Sequence, residues 1–181
     1  LEGIQQYSFN YTFFDNPYFI LLENRNGFQR DRAFGNLLAK YEFTPNLSLQ
    51  VRSGMDYSTE DRTFRRAFSS NRFRNGAYAE QDVLFRELNT DALLTYERSF
   101  GDIDLSVNLG ANRMDQEAVN QQRQTIALAQ PGVFSLTNAA APVEVFQASA
   151  RKRINSAYGL LKLSFRDWLF VDVTGRNDWS S

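Results

Sequence analysis

Hydrophobic and polar positions along this 181-residue chain alternate with a period of two in three separate stretches. In the last of them, near 154–178, the odd positions Ala157, Gly159, Leu161, Leu163 and Phe165 are small or apolar, and Leu169, Val171 and Val173 resume the set after a polar break. The even positions Ser156, Tyr158, Lys162, Ser164 and Arg166, then Asp172, Thr174, Arg176 and Asp178, form the other face. Successive side chains of a strand point to opposite faces, so this period predicts a strand between two unlike environments. Two such runs joined by a short polar turn predict a hairpin.

Two earlier stretches repeat the pattern. Near 31–58, Ala33, Gly35, Leu37, Ala39, Tyr41 and Phe43 alternate with Phe34, Asn36, Leu38, Lys40 and Glu42. After the turn at Thr44-Pro45-Asn46, Leu47, Leu49, Val51, Met55 and Tyr57 oppose Ser48, Gln50, Arg52, Gly54 and Asp56. Proline suits that turn because it presets φ and withholds a donor where no ladder bond is needed. Near 86–113, Leu88, Ala92, Leu94 and Tyr96 precede the turn at Ser99–Asp102, and Ile103, Leu105, Val107, Leu109 and Ala111 follow it. Glu87, Asn89, Asp91, Thr95 and Glu97, then Asp104, Ser106, Asn108, Gly110 and Asn112, lie opposite. Arg98 breaks the apolar parity, but it stands beside the turn, where a long side chain can carry its charge to an interface.

The remaining segments lose the alternation. Residues 59–76, with an Arg/Phe-rich run, and 114–150, rich in Gln and Ala, read as long loops. Residues 1–28 read as loop or strand end: 4–14 alternate imperfectly, and Pro17 interrupts any long regular strand.

The apolar faces are aliphatic in the middle and aromatic near the turns, at Tyr41 and Phe43, Tyr96 and Phe100, and Phe165 and Trp168. A lipid-facing band bounded by an aromatic girdle has this distribution. Short turns on one side and long loops on the other are how outer-membrane barrels are built, with the short turns periplasmic. The expected fold is therefore all-β: an antiparallel transmembrane β-barrel segment of about six strands.

Several stretches also resemble one family. RINSAYG (153–159) and FRDWLFVDVTGRNDWSS (165–181) resemble a segment of the SusC/RagA family of TonB-dependent outer-membrane transporters. NPYFIL (16–21), DRAFGNLLAKYEF (31–43) and PGVFSLTN (131–138) resemble the same family in the same order. The resemblance implies a larger barrel of about twenty-two strands, of a size that also houses a plug. It further implies a bacterial outer-membrane location and import of glycans or peptides with a SusD-like surface lipoprotein. A plug domain and a TonB box, through which the TonB complex would engage, are not present in this sequence. With no initiator Met at Leu1, the sequence is expected to be an internal piece of a longer protein.

Composition narrows the chemistry. The formal net charge is −1, so nothing global draws the chain to nucleic acid. Cys and His are both absent, which removes disulfides, thiolate nucleophiles and the common triads and zinc sites. Inward carboxylates are left as the possible acid–base groups, but they are mixed with lysines and arginines and none is set apart as a base. No catalytic, cofactor or metal residue is assigned. Asn36, Lys40, Glu42, Gln50, Arg52, Asp56, Asp91, Asn108, Lys162, Asp172 and Arg176 are instead candidates to line the lumen and meet plug or substrate. Arg65, Arg66, Arg72, Arg74 and Phe134 are candidates to meet a partner from the loops.

Two other readings stay open at this stage. A barrel of the same ancestry can serve as a structural or secretion-associated subunit of a larger complex. A soluble β-protein can bind single-stranded nucleic acid through arginines interleaved with aromatics, as at 59–76. The two strand faces separate the barrel from the soluble protein. Leu49→Arg, Val107→Arg and Leu163→Arg should each cost about 2–4 kcal/mol of folding stability in bilayers, whereas Gln50→Arg, Asn108→Arg and Ser164→Arg should cost far less. The check is a folding equilibrium of the intact protein in lipid, and equal damage on both parities would refute a lipid-facing side.

Overall fold

The computed structural model describes residues 12–166 and 168–181. The imperfect alternation at 4–14 falls almost wholly outside them. One helix, α1 (Pro17–Glu23), precedes six strands: β1 (Gly27–Thr44), β2 (Leu47–Phe68), β3 (Asn75–Phe100), β4 (Ile103–Thr125), β5 (Glu144–Phe165) and β6 (Leu169–Ser180). They form a single antiparallel sheet in chain order, β1 to β6. The all-β expectation and the strand number both hold.

Three tight turns join the strands within the hairpins, the first marked by Pro45 and the second by Gly101. At Pro45-Asn46 the Thr44 hydroxyl accepts from the Asn46 amide at 3.3 Å. Gly101 has φ +64, a left-handed conformation that costs glycine little. In the third turn Arg166 takes φ +50. Its amide and guanidinium donate to the carbonyl and carboxylate of Asp102, at 2.9 and 2.7 Å, linking two turns. Aromatics cluster as expected: Tyr41 meets Phe43 edge-on at 4.9 Å, and Phe165 meets Trp168 at 6.2 Å. Arg98 lays its guanidinium over the Phe100 ring at 4.9 Å, which houses the one charge on the apolar parity beside the turn.

The long loops expected at 59–76 and 114–150 are mostly strand. β2 runs on to Phe68 and β3 begins at Asn75, leaving only a short reversal. β4 runs on to Thr125 and β5 begins at Glu144, with a 3-10 turn at Leu136–Asn138 between them. The physical reason is that a ladder needs only backbone pairing. Polarity alternates only while the two faces meet unlike surroundings, so a strand polar on both sides looks like a loop. The N-terminal expectation is also corrected. Pro17 starts α1, at the position where its missing N–H costs nothing, and the Asn16 side chain caps the helix by accepting from the Tyr18 amide at 2.9 Å.

The chain forms two compact units. One comprises the residues up to Asp31, Ser58–Leu84 and Ala118–Ser149; the other comprises Arg32–Tyr57, Phe85–Glu117 and Ala150–Ser181. The first holds every buried hydrophobic among the described residues: Phe19, Ala67, Ala77, Tyr78, Ala79 and Leu128. Asn24 ties α1 into it, accepting from the Ala67 amide at 2.7 Å and donating to the Ser70 hydroxyl at 3.5 Å. Asp15 likewise accepts from the Asn71 amide at 2.7 Å.

The second unit has no such core. Much of its outward set is exposed, including Leu37, Tyr41, Met55, Leu88, Leu109, Leu161 and Val173, while Leu49, Val107 and Leu163 are half-buried. The β5–β6 register pairs like with like: Leu161 opposes Val173 and Leu163 opposes Val171, while Lys162 opposes Asp172. Two polar residues interrupt the apolar face, Ser53 and Thr90, and their hydroxyls hydrogen-bond each other at 2.9 Å. On a face that meets hydrocarbon, such a pair satisfies two groups that lipid cannot. Ser53→Ala and Thr90→Val should each destabilise the intact protein in bilayers by about 0.5–1.5 kcal/mol. In a double-mutant cycle the double variant should lose clearly less than the sum, and simple additivity would mean that the two hydroxyls do not interact.

Candidate functional site

The polar face of the second unit is built strand by strand from the even positions of β1, β2, β4, β5 and β6 and the odd positions of β3. Ion pairs line it, some between neighbouring strands and some along one strand. Arg32 grips Asp56 with two bonds, at 2.9 and 2.6 Å. Arg52 donates to Asp91 at 2.9 Å, and Lys40 to Glu42 at 2.8 Å. Asn108 accepts from Thr95 at 2.8 Å and donates to Ser106 at 3.3 Å. Asn36 lies exposed beside Gly54, and Gln50 is half-buried in β2.

Lys162 and Asp172 face each other across β5 and β6 and line a groove of about 510 Å³ with Glu97, Asp104 and Ser106. Arg176 donates to Asp178 at 2.9 Å and to the buried Ser156 hydroxyl at 3.2 Å, and lies over the Tyr158 ring at 5.9 Å. Tyr158 can lie there because of Gly110. A Cβ at position 110 would run into the Tyr158 ring, so the glycine makes room for an aromatic to cover its bare backbone.

The loop candidates belong to the first unit. Arg65 lies over the Phe134 ring at 5.6 Å, so two residues far apart in sequence are brought together. Arg66 donates to the Asn26 side chain at 3.3 Å and to the Arg65 carbonyl at 2.8 Å. Arg72 and Arg74 are exposed in the reversal after β2, where the Arg74 carbonyl accepts from the Ser69 amide at 3.0 Å. A smaller recess of about 290 Å³ is lined by Phe64, Arg66, Phe73, Ala77, Gln122 and Gln124. Sequence reasoning missed the two glutamines, because they sit in a stretch that reads as loop.

Chemically, this surface can bind and orient polar ligands by charge-assisted hydrogen bonds. In the first unit Glu60 serves both Arg30 and Arg62. Among the described residues no group is placed against a second one as nucleophile and base are.

No protein-family model and no curated protein matches the chain. Solved structures do. The RagAB peptide transporter superposes over 97% of this chain with a TM-score of 0.83 and 17% identity. Its open-open state gives 0.75 over 98% at 18% identity. The siderophore receptor PiuA from Acinetobacter baumannii gives 0.50 over 87% at 10% identity. In fold, the chain is a SusC/RagA-like barrel segment. It spans about a fifth of the RagAB chain, 20% of its length.

In such a segment the Gly110–Tyr158 pair is a sharp test of the polar face. Gly110→Ala should displace the Tyr158 ring, separate it from Arg176 and destabilise the intact protein by about 1–3 kcal/mol. Adding Tyr158→Ala should recover part of that loss. Thermal denaturation of the single and double variants measures it, and an unaffected Gly110→Ala would show that the ring does not cover the glycine.

Proposed function

We propose that this chain forms part of the wall of an energy-coupled transporter in the bacterial outer membrane, importing peptides or glycans together with a SusD-like surface lipoprotein. The observation that carries it is the superposition on the RagAB peptide transporter over 97% of the chain. The two faces of the sheet give it physical support. An exposed aliphatic face suits lipid, and a face of ion pairs and amides suits a hydrated lumen that must also seat a plug. Among the two substrate classes, the likeness to a peptide transporter favours peptides.

On this reading Lys40, Arg52, Asp91, Lys162, Asp172 and Arg176 meet plug or substrate from the wall. The exposed Arg72 and Arg74, with Arg65 and Phe134, are available to the lipoprotein. The TonB complex acts through the plug-bearing part of the protein. Among the described residues the sheet order leaves one side of β1 and one side of β6 without a neighbour, and both strands are exposed throughout. Neighbouring barrel strands supply those partners, because hydrocarbon does not tolerate an open ladder.

Isolation of the intact protein from its native membrane tests the proposal. A surface lipoprotein should co-purify in stoichiometric amount, and deleting the intact protein should abolish growth on peptides as sole nitrogen source while growth on free amino acids continues. Unimpaired peptide uptake, with a secretion apparatus as the co-purifying partner, would replace transport by a structural role. Residues 1–181 expressed alone should give no compact, heat-modifiable monomer, since six strands cannot close a lumen of the required size.

A further inference from the structure

The outward parity does not end with the apolar band. On β4 it runs from Ile103 through Ala111 and continues as Arg113, Asp115 and Glu117; on β5 it passes from Ala157 to Arg153 and Arg151; on β3 it passes from Leu88 to Arg86. Contacts confirm that these six charges share one face. Arg86 and Arg151 both donate to Glu117, at 2.7 and 2.8 Å, while Arg113 at 2.7 Å and Arg153 both donate to Asp115. Gln116 and Asn112, between them in sequence, bond Glu87 and Asn89 on the opposite, polar face. All six lie in the second unit.

The cluster is layered. The carboxylate side chains are 18% and 33% exposed, whereas that of Arg151 is 81% exposed and those of Arg86 and Arg113 more than half. Four guanidiniums over two carboxylates give the cluster a net charge of +2 and more N–H donors than the two carboxylates engage. Met55 and Leu88 join Arg86, Arg151 and Arg153 around a groove of about 700 Å³, so aliphatic and cationic surface meet in one depression.

Height along the strand says what fills it. At about 3.3 Å per residue and a tilt of about 40°, Arg113 stands roughly 25 Å beyond Ile103, the first residue of β4. That is the height of a barrel's apolar band, so the guanidiniums sit where acyl chains give way to headgroups. We infer that this belt binds the phosphate groups of outer-leaflet lipid headgroups, with the aliphatic floor taking the start of an acyl chain. Planar guanidinium forks suit phosphate, and charge pairing at a membrane surface needs no deep pocket. The inference rests on the outer-membrane reading above.

The test uses the intact protein in phosphatidylcholine vesicles doped with phosphorylated or dephosphorylated lipid A, and mass spectrometry of the lipid retained after extraction in detergent. Phosphorylated lipid should be enriched, and Arg86→Gln, Arg151→Gln and Arg153→Gln should reduce its retention by roughly fivefold for each charge removed. Arg→Lys at the same three positions should retain more than the Gln variants. Where the triple variant does not show heat-modifiable mobility, Arg151→Gln alone carries the measurement, its guanidinium being the most exposed of the four.

Equal retention of the two lipids would overturn the inference. So would competition by millimolar inorganic phosphate, which would make the site a free-anion site. A variant that turns dimers into monomers without altering lipid retention would assign the belt to a second copy of the chain and overturn it too. If the intact natural protein forms no heat-modifiable barrel in the outer membrane, the transporter reading falls and takes the belt with it. A sound barrel with no lipid preference removes the belt alone.

Discussion

The backbone hydrogen-bond ladder is the interaction on which the rest depends. In the second unit no hydrophobic side chain among the described residues is buried, so no core holds those strands in place. Their order and register come from cross-strand pairing, illustrated by the twelve-pair ladder from Ile154–Ser180 to Phe165–Leu169. In water such a sheet would be marginal, because burial of apolar surface normally offsets the entropy of ordering the chain. In hydrocarbon the same ladder becomes obligatory, since an unpaired amide or carbonyl has nothing else to bond. The environment turns an ordinary sheet into a stable one.

That constraint explains how the two faces are furnished. The apolar face carries aliphatics, aromatics near the turns, and a single hydroxyl pair, Ser53 with Thr90, that satisfies itself. The polar face carries charges in pairs, between strands at Arg32–Asp56 and Arg52–Asp91 and along a strand at Lys40–Glu42 and Arg176–Asp178. Exposed pairs of this kind contribute roughly 0–1 kcal/mol each, so stability is not their main effect. They keep a wall of fixed charges near neutrality while leaving donors and acceptors for whatever fills the lumen. At Tyr158 over Gly110, with Arg176 over the ring, that face specifies shape as well as charge.

The first unit follows different rules. Its buried residues are few and mostly small, and α1 is held both by its buried Phe19 and by side-chain bonds from Asn24 and Asp15. Here polar side chains close a short helix and a reversal against a strand that is polar on both sides. The outward arginines of β3, β4 and β5 show the same change of surroundings within the second unit. Parity stays constant along each strand while the chemistry it presents passes from aliphatic to cationic.

Alternation was legible in the sequence wherever the faces differ, and it placed the three tight turns, the apolar and polar sets from Ala33 to Val173, and the aromatics beside the turns. Those features follow from period two alone, because a residue's face is fixed by its parity once strand and medium are known. The extensions of β2 to Phe68 and of β4 to Thr125 were not legible, since a strand with like surroundings on both faces leaves no periodic mark. Nor were the pairs. That Arg52 meets Asp91, Arg65 meets Phe134, Gly110 accommodates Tyr158, or Arg86 and Arg151 share Glu117 depends on register between strands. The sequence by itself determined which side of the sheet each residue takes. Only the tertiary structure decided its neighbour, because register is set by turns and ladders acting together across residues tens of positions apart.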